Sequence, residues 1–259
     1  MTISSFKKLK GIEKISAITA YDALFAGIFD GEVDVILVGD SLSMSFGGND
    51  DTIPISLEAM IYHTKAVRKV TKKSLLIADM PFGSYPNINL GLKNAIKMYK
   101  QSGADAIKLE VNESKITLLK ELINNGIAVM AHIGLMPQFY RHDGVYKIKG
   151  KDEAENQSLL DLALQLEEIG CFGLLIEGTK SDIATKITKN LKIPTIGIGS
   201  GSGTDGQILV WSDAFGFFNK FTPKFVRKYL DGESILKEAI KKYNADVKNI
   251  TFPNENESY

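Results

Sequence analysis

The sequence predicts a (β/α)8 barrel, on three observations. Strand-like and helix-like segments alternate along the whole chain, eight of the former with helices between them. The strand-like segments are near-continuous runs of Val, Ile and Leu, the pattern of strands covered on both faces in a parallel sheet. Five of them stop at a residue that can hold a metal or move a proton, as expected where strand ends open onto the catalytic rim of a barrel. At 259 residues the chain matches the roughly 250 usual for this fold.

The strand-like runs are ISAITAY (15–21), VDVILVGD (33–40), SLLIADM (74–80), AIKLE (106–110), AVMAHIGL (128–135), GLLIEG (173–178), IPTIGIGS (193–200) and ILVWSDAFG (208–216). Helices are expected in DALFAGIFDG, SLEAMIYHTKAVRKVT, NLGLKNAIKMYKQSG, NESKITLLKELINNG, DEAENQSLLDLALQLEEIG and SDIATKITKN, with a closing helix over 223–247. Several stop at Gly or Asn, which release the backbone from helical geometry. GSGTDGQ leaves no room for a helix before the last strand. An open doubly wound sheet is the competing topology, but no G-x-G-x-x-G follows the first strand. No Pro- or Ser-rich linker divides the chain, so one domain over 1–259 is expected, with a polar tail from about 246. Long loops after Asp40 and after His132 suit lids or binding segments.

Lys+Arg and Asp+Glu both number 31, which removes any bulk electrostatic case for nucleic acid or an anionic membrane. No segment approaches about 18 apolar residues, so no membrane span is expected and the chain reads as soluble and cytoplasmic. The one cysteine, Cys171, opens an apolar run and reads as a core thiol in a reducing compartment.

Asp40, Asp79 and Glu110 close neighbouring strand-like runs, so their carboxylates converge on one patch of the rim. Without a cation they repel; an all-oxygen set favours Mg2+ over zinc. Lys108 lies two residues before Glu110 and shares its side of the strand. It either neutralises these acids or binds a substrate anion, and Ser41 can join it on that anion. Glu177 lies across the rim, where apolar surroundings raise its pKa and suit it to act as a general base. A chelated 2-keto acid beside such a base implies enolate chemistry. His132 faces the pocket as either a substrate-binding or a hydrogen-bonded structural imidazole. His63 reads as a core or interface residue and His142 as solvated. The glycines of IGIGSGSGTDGQ allow a phosphate, a flat ring or a tight strand contact.

VGDSLSM, YHTKAVR, ADMPFGSY, IKLE, AHIGLMPQ and IGIGSGSGTDGQILVWSDAFG, in this order over nearly the whole chain, resemble the ketopantoate hydroxymethyltransferase family. The resemblance implies a barrel that binds one Mg2+ per subunit and takes a hydroxymethyl group from 5,10-methylenetetrahydrofolate to α-ketoisovalerate. It implies that Asp40 and Asp79 ligate the metal with Glu110 in its shell or reached through water. Ser41 and Lys108 would hold the keto-acid carboxylate, and Glu177 would remove the C3 proton. It also implies a homodecamer of two pentameric rings. The family commonly has alanine where Ser200 stands and histidine where Ser212 stands. An alternative on the same acids is a Mg2+-dependent C–C lyase or mutase of the phosphonopyruvate mutase/isocitrate lyase type.

Overall fold

The computed structural model describes residues 1–219 and 221–259. Eight strands close into a parallel barrel: β1 (Ile15–Thr19), β2 (Val35–Val38), β3 (Leu75–Asp79), β4 (Ala106–Glu110), β5 (Val129–Gly134), β6 (Gly173–Glu177), β7 (Thr195–Ile198) and β8 (Gly206–Leu209). Closure is made by β8 pairing with β1 from Ile15 opposite Gly206 to Ile18 opposite Leu209. All eight expected strands form, in the expected order. The chain divides into two compact units, residues 1–210 and 211–259.

In the first unit the helices fall where apolar spacing placed them, at Ala23–Phe29, Leu57–Val70, Ile88–Ser102, Ile116–Asn124, Glu153–Glu168 and Ser181–Asn190. Their starts are set chemically. Asp22, Ser56, Asn87 and Asp152 each accept a hydrogen bond from the backbone N–H three residues on. Each such cap stabilises its helix by about 1 kcal/mol. As expected, β7 runs to β8 without a helix between them.

The barrel is filled by Ile15, Val35, Leu37, Leu75, Ile77, Met130, Leu175, Ile196 and Ile208, with Phe6 and Phe172 packed among them. Phe6 comes from a helix, Ile3–Lys8, that the sequence reading did not anticipate. This segment is too short and too rich in lysine to show apolar periodicity. Its start is nonetheless fixed by a capping box between Thr2 and Ser5. Phe6 is fully buried and meets Phe172 edge to face at 5.5 Å.

Two expectations are corrected in the second unit and at its border. The last strand was expected over 208–216, but it ends at Leu209, and Trp211–Ala214 is a helical turn. The pairing with β1 runs out there, and the Trp211 carbonyl accepts from Phe215 N–H instead. The closing helix was expected from 223, but it spans Gly232–Lys248. The Tyr229 N–H is taken by the Ala214 carbonyl, and the Gly232 and Glu233 N–H groups, which as first-turn donors have no partner within the helix, are taken by the Phe215 and Gly216 carbonyls, so the helix begins at Gly232.

Truncating Phe6 leaves a cavity inside the barrel that its neighbours cannot collapse to fill. Phe6→Ala is expected to lower unfolding free energy by about 3–5 kcal/mol, measured by urea denaturation. A loss below about 1 kcal/mol, the size of a surface change, would show that the helix is not part of the core.

Candidate functional site

Register places the site. Asp79 on β3 stands opposite Lys108 on β4, Glu110 opposite His132 on β5, and Gly134 opposite Glu177 on β6. β2 stops at Val38, so Asp40 stands in the turn two residues beyond the strand rather than at its end. Its backbone N–H donates to Asp79 Oδ2 at 3.0 Å, which holds that turn against β3. Asp40, Asp79, Lys108, Glu110 and His132 are all at most 5 % exposed, so four ionisable groups and an imidazole share one interior wall.

The Lys108 ammonium lies 2.7 Å from Asp79 Oδ1 and 3.2 Å from His132 Nδ1. Burial opposes its charge, but Asp79, Asp40 and Glu110 outweigh that and push its pKa up. The acids are pushed the other way. Burial and the neighbouring Asp79 raise the Asp40 carboxyl to about 7. Asp79 is raised by burial against the pull of Lys108, and Glu110 by burial and Asp40. One ammonium does not neutralise three carboxylates; a second positive charge is the missing complement.

His132 is fixed at both nitrogens. Nδ1 accepts from Lys108, Nε2–H donates to the Leu135 carbonyl at 2.9 Å, and Nε2 lies 3.5 Å from Glu177 Oε2. Burial and Lys108 hold its pKa well below the usual imidazole value, so it is neutral with the proton on Nε2. This arrangement links the lysine to Glu177. A fifth of the Glu177 side chain remains exposed. Burial, together with Asp40 and Asp79, raises its pKa to about 8 against the pull of Lys108.

Ser41 Oγ shares a 2.8 Å hydrogen bond with the Tyr21 hydroxyl, which accepts from Thr19 Oγ1 at 3.0 Å. Gly39 keeps this corner open, because a Cβ there would stand 2.9 Å from Ser41 Oγ and 3.5 Å from Asp79 Oδ2.

The donor set suits a hard divalent cation. Asp79 Oδ1 is buried with no directed hydrogen bond, meeting only the lysine charge. Among the described residues no three His, Cys, Asp or Glu side chains form a metal-holding group by themselves. Two carboxylates, with water and substrate oxygens completing the shell, is the set that Mg2+ commonly takes. Glu110 is engaged elsewhere: its Oε2 accepts the Gln138 N–H at 3.0 Å.

Three residues to which the sequence assigns no role in the site belong here. Gln138 Nε2 donates to Asp40 Oδ2 at 2.8 Å and to the Met80 carbonyl at 3.0 Å, while its Oε1 accepts from Tyr85 at 2.6 Å. Gln138 lies on a 3-10 turn and Tyr85 in a loop, and both are uncharged, so neither periodicity nor charge marks them. Ser200 Oγ donates to the Ile176 carbonyl at 2.8 Å and accepts from Thr179 N–H at 3.2 Å, bracing the backbone on either side of Glu177. Both long loops also meet, with Arg141 Nε 2.7 Å from the buried Asp51 carboxylate.

The glycine-rich segment serves packing. A Cβ on Gly201 would overlap Ser181, on Gly203 Thr185, and on Gly206 the Ile15 carbonyl. His63 donates through Nδ1 to the Tyr21 carbonyl at 2.6 Å, and His142 is exposed beside Asp143. Cys171 is buried, which pushes its thiol up to about 12. No helix among the described residues is long and apolar enough to cross a membrane.

Solved structures similar to the whole chain include 2,3-dimethylmalate lyase, a PEP mutase/isocitrate lyase superfamily member (TM-score 0.65, 16 % identity, covering 100 % of this chain and 92 % of that one). Phosphonopyruvate hydrolase in complex with oxalate and Mg++ is similar at TM-score 0.60 and 15 % identity, over 99 % and 93 % of the two chains. At such identities the likeness is one of fold. Sequence relatives are far nearer. The 3-methyl-2-oxobutanoate hydroxymethyltransferases of Helicobacter hepaticus and Wolinella succinogenes are 62 % and 57 % identical over all of this chain and 98 % and 99 % of theirs. That of Helicobacter pylori strain 26695 is 58 % identical over all of this chain and 96 % of its own. The profile of the ketopantoate hydroxymethyltransferases matches residues 1–255, and the chain belongs to that family.

Proposed function

We propose that the chain transfers a hydroxymethyl group from 5,10-methylenetetrahydrofolate to α-ketoisovalerate, giving ketopantoate. The observation that carries the reading is one wall of the barrel mouth. There Asp40, Asp79, Glu110 and Lys108 are buried together, and Glu177 stands across His132 from them. Family membership supports the same reaction.

Asp40 and Asp79 would hold Mg2+, with Glu110 at the edge of its shell. The bound cation supplies electron withdrawal from the ketone, which acidifies the adjacent C–H. The lysine ammonium has three N–H groups; two face Asp79 and His132, and the third is assigned to the keto-acid carboxylate with the Ser41 hydroxyl. Glu177 accepts the C3 proton. C3 then bonds to the one-carbon unit as both of that carbon's bonds to the folate nitrogens break; water supplies the product hydroxyl, and tetrahydrofolate leaves with its two nitrogens protonated, one by the proton from water and one by the proton taken from C3. The neutral His132, its Nε2 3.5 Å from Glu177, keeps that carboxylate in place and cannot itself take up the proton at Nδ1 without losing the bond it accepts from Lys108.

The reading is tested by assaying ketopantoate formed from the two substrates with and without EDTA. Product that depends on added Mg2+ supports it; substrate left unconsumed at every metal concentration contradicts it.

Glu177→Gln is expected to retain keto-acid binding and to lose exchange of the C3 hydrogen for deuterium, followed by NMR. In the unaltered chain that exchange should speed up as pH rises from 6 through about 8, because the proton leaves Glu177 over that interval. Undiminished exchange in the variant would remove Glu177 as the base.

Lys108→Ala is expected to raise the keto-acid KM by about 10- to 100-fold, the loss of a charge-assisted hydrogen bond. Its affinity for Mg2+ should change far less. If metal affinity alone fell, the lysine would be a charge balancer and not an anion site.

A further inference from the structure

We propose that Gln138 is a positioning residue that sets the Asp40 carboxylate for cation binding, and that Tyr85 anchors the Gln138 amide in that place. This rests on the assignment of Asp40 and Asp79 as the metal-holding pair.

Gln138 sits on the 3-10 turn Pro137–Phe139, just beyond β5, and is 4 % exposed. Every polar atom of its side chain is bonded. Oε1 accepts from the Tyr85 hydroxyl at 2.6 Å, and the two Nε2 hydrogens go to the Met80 carbonyl at 3.0 Å and Asp40 Oδ2 at 2.8 Å. Only one of the two amide orientations satisfies these partners. A flipped amide would set its oxygen against a carbonyl and a carboxylate, both acceptors. The Met80 carbonyl and the Asp40 carboxylate therefore decide which face Gln138 turns to Asp40, and the Tyr85 hydroxyl, also 3.3 Å from the Glu110 carbonyl, anchors the amide oxygen. By occupying Oδ2, the amide fixes the plane of the carboxylate and leaves Oδ1 for another partner.

The same residue reaches a second acid through its main chain, since Gln138 N–H donates to Glu110 Oε2 at 3.0 Å. Side-chain substitution removes the bond to Asp40 and keeps the one to Glu110. The contribution of the amide can thus be isolated. A group that orients a ligating carboxylate is worth about 10- to 100-fold in metal affinity.

The test is calorimetric titration of the intact chain with MgCl2 alone, using Gln138→Met, which keeps the length of the side chain, and Tyr85→Phe. Gln138→Met should bind Mg2+ about 10- to 100-fold more weakly, and Tyr85→Phe should be weakened in the same direction. Turnover of both should recover as Mg2+ is raised to saturation. A purely structural role would lower the melting temperature in EDTA without moving the Mg2+ affinity of the folded protein. Unchanged Mg2+ affinity in folded Gln138→Met overturns the inference, and unchanged affinity in Tyr85→Phe does so should the first variant fail to fold. An unaltered chain that binds no Mg2+ would instead bring down the metal assignment, and this inference with it.

Discussion

Three carboxylates and one ammonium are buried on a single wall of the barrel, and the rest of the site is arranged around that imbalance. Taking an ion out of water costs several kcal/mol unless partners compensate. Here the Lys108 ammonium pairs with Asp79 at 2.7 Å, Gln138 bonds Asp40 and Glu110, and the Asp40 N–H bonds Asp79. These contacts hold the acids in place without cancelling their charge. The surplus negative charge is what a divalent cation would neutralise, and it adds to burial, the larger cause, in raising the pKa of Glu177 across the pocket.

The fold makes this cluster possible through register more than through any one residue. Parallel strands put Asp79 beside Lys108 and Glu110 beside His132, and the two-residue period along β4 sends lysine and glutamate to the same side. The wall is completed by loops. Gln138 and Arg141 lie on the loop after β5; one reaches Asp40 and the other the Asp51 carboxylate in the loop after Asp40. The Lys149 N–H donates to the Gly178 carbonyl, so the far end of that loop is tied beside Glu177.

Much of this was legible in the chain. Continuous apolar runs ending in Asp79, Glu110 and Glu177 carried both the barrel and its ionisable rim, because strand burial and strand ends leave direct marks on composition. Motifs around Asp40, Lys108 and His132 carried the family. What stayed hidden depends on contacts distant in sequence. Nothing near Gln138 or Tyr85 signals that they meet each other and Asp40, and Phe6 is one aromatic among lysines until it enters the barrel. The misplaced ends of the last strand and helix have the same origin: the carbonyls of Ala214, Phe215 and Gly216 accept from the N–H groups of Tyr229, Gly232 and Glu233, a pairing between segments distant in sequence. The paired histidine nitrogens were equally beyond sequence reasoning, since a buried imidazole can bind a ligand or brace its neighbours with the same residue letter.

The central claim is that Asp40 and Asp79 jointly bind the cation on which the keto acid is held. The most direct measurement is anomalous diffraction from crystals soaked with Mn2+, standing in for Mg2+, and α-ketoisovalerate. The account predicts a single strong peak within bonding distance of both aspartates, with the keto acid beside it and its carboxylate toward Lys108. A peak remote from Asp40 and Asp79, or keto acid bound away from the metal, would contradict it.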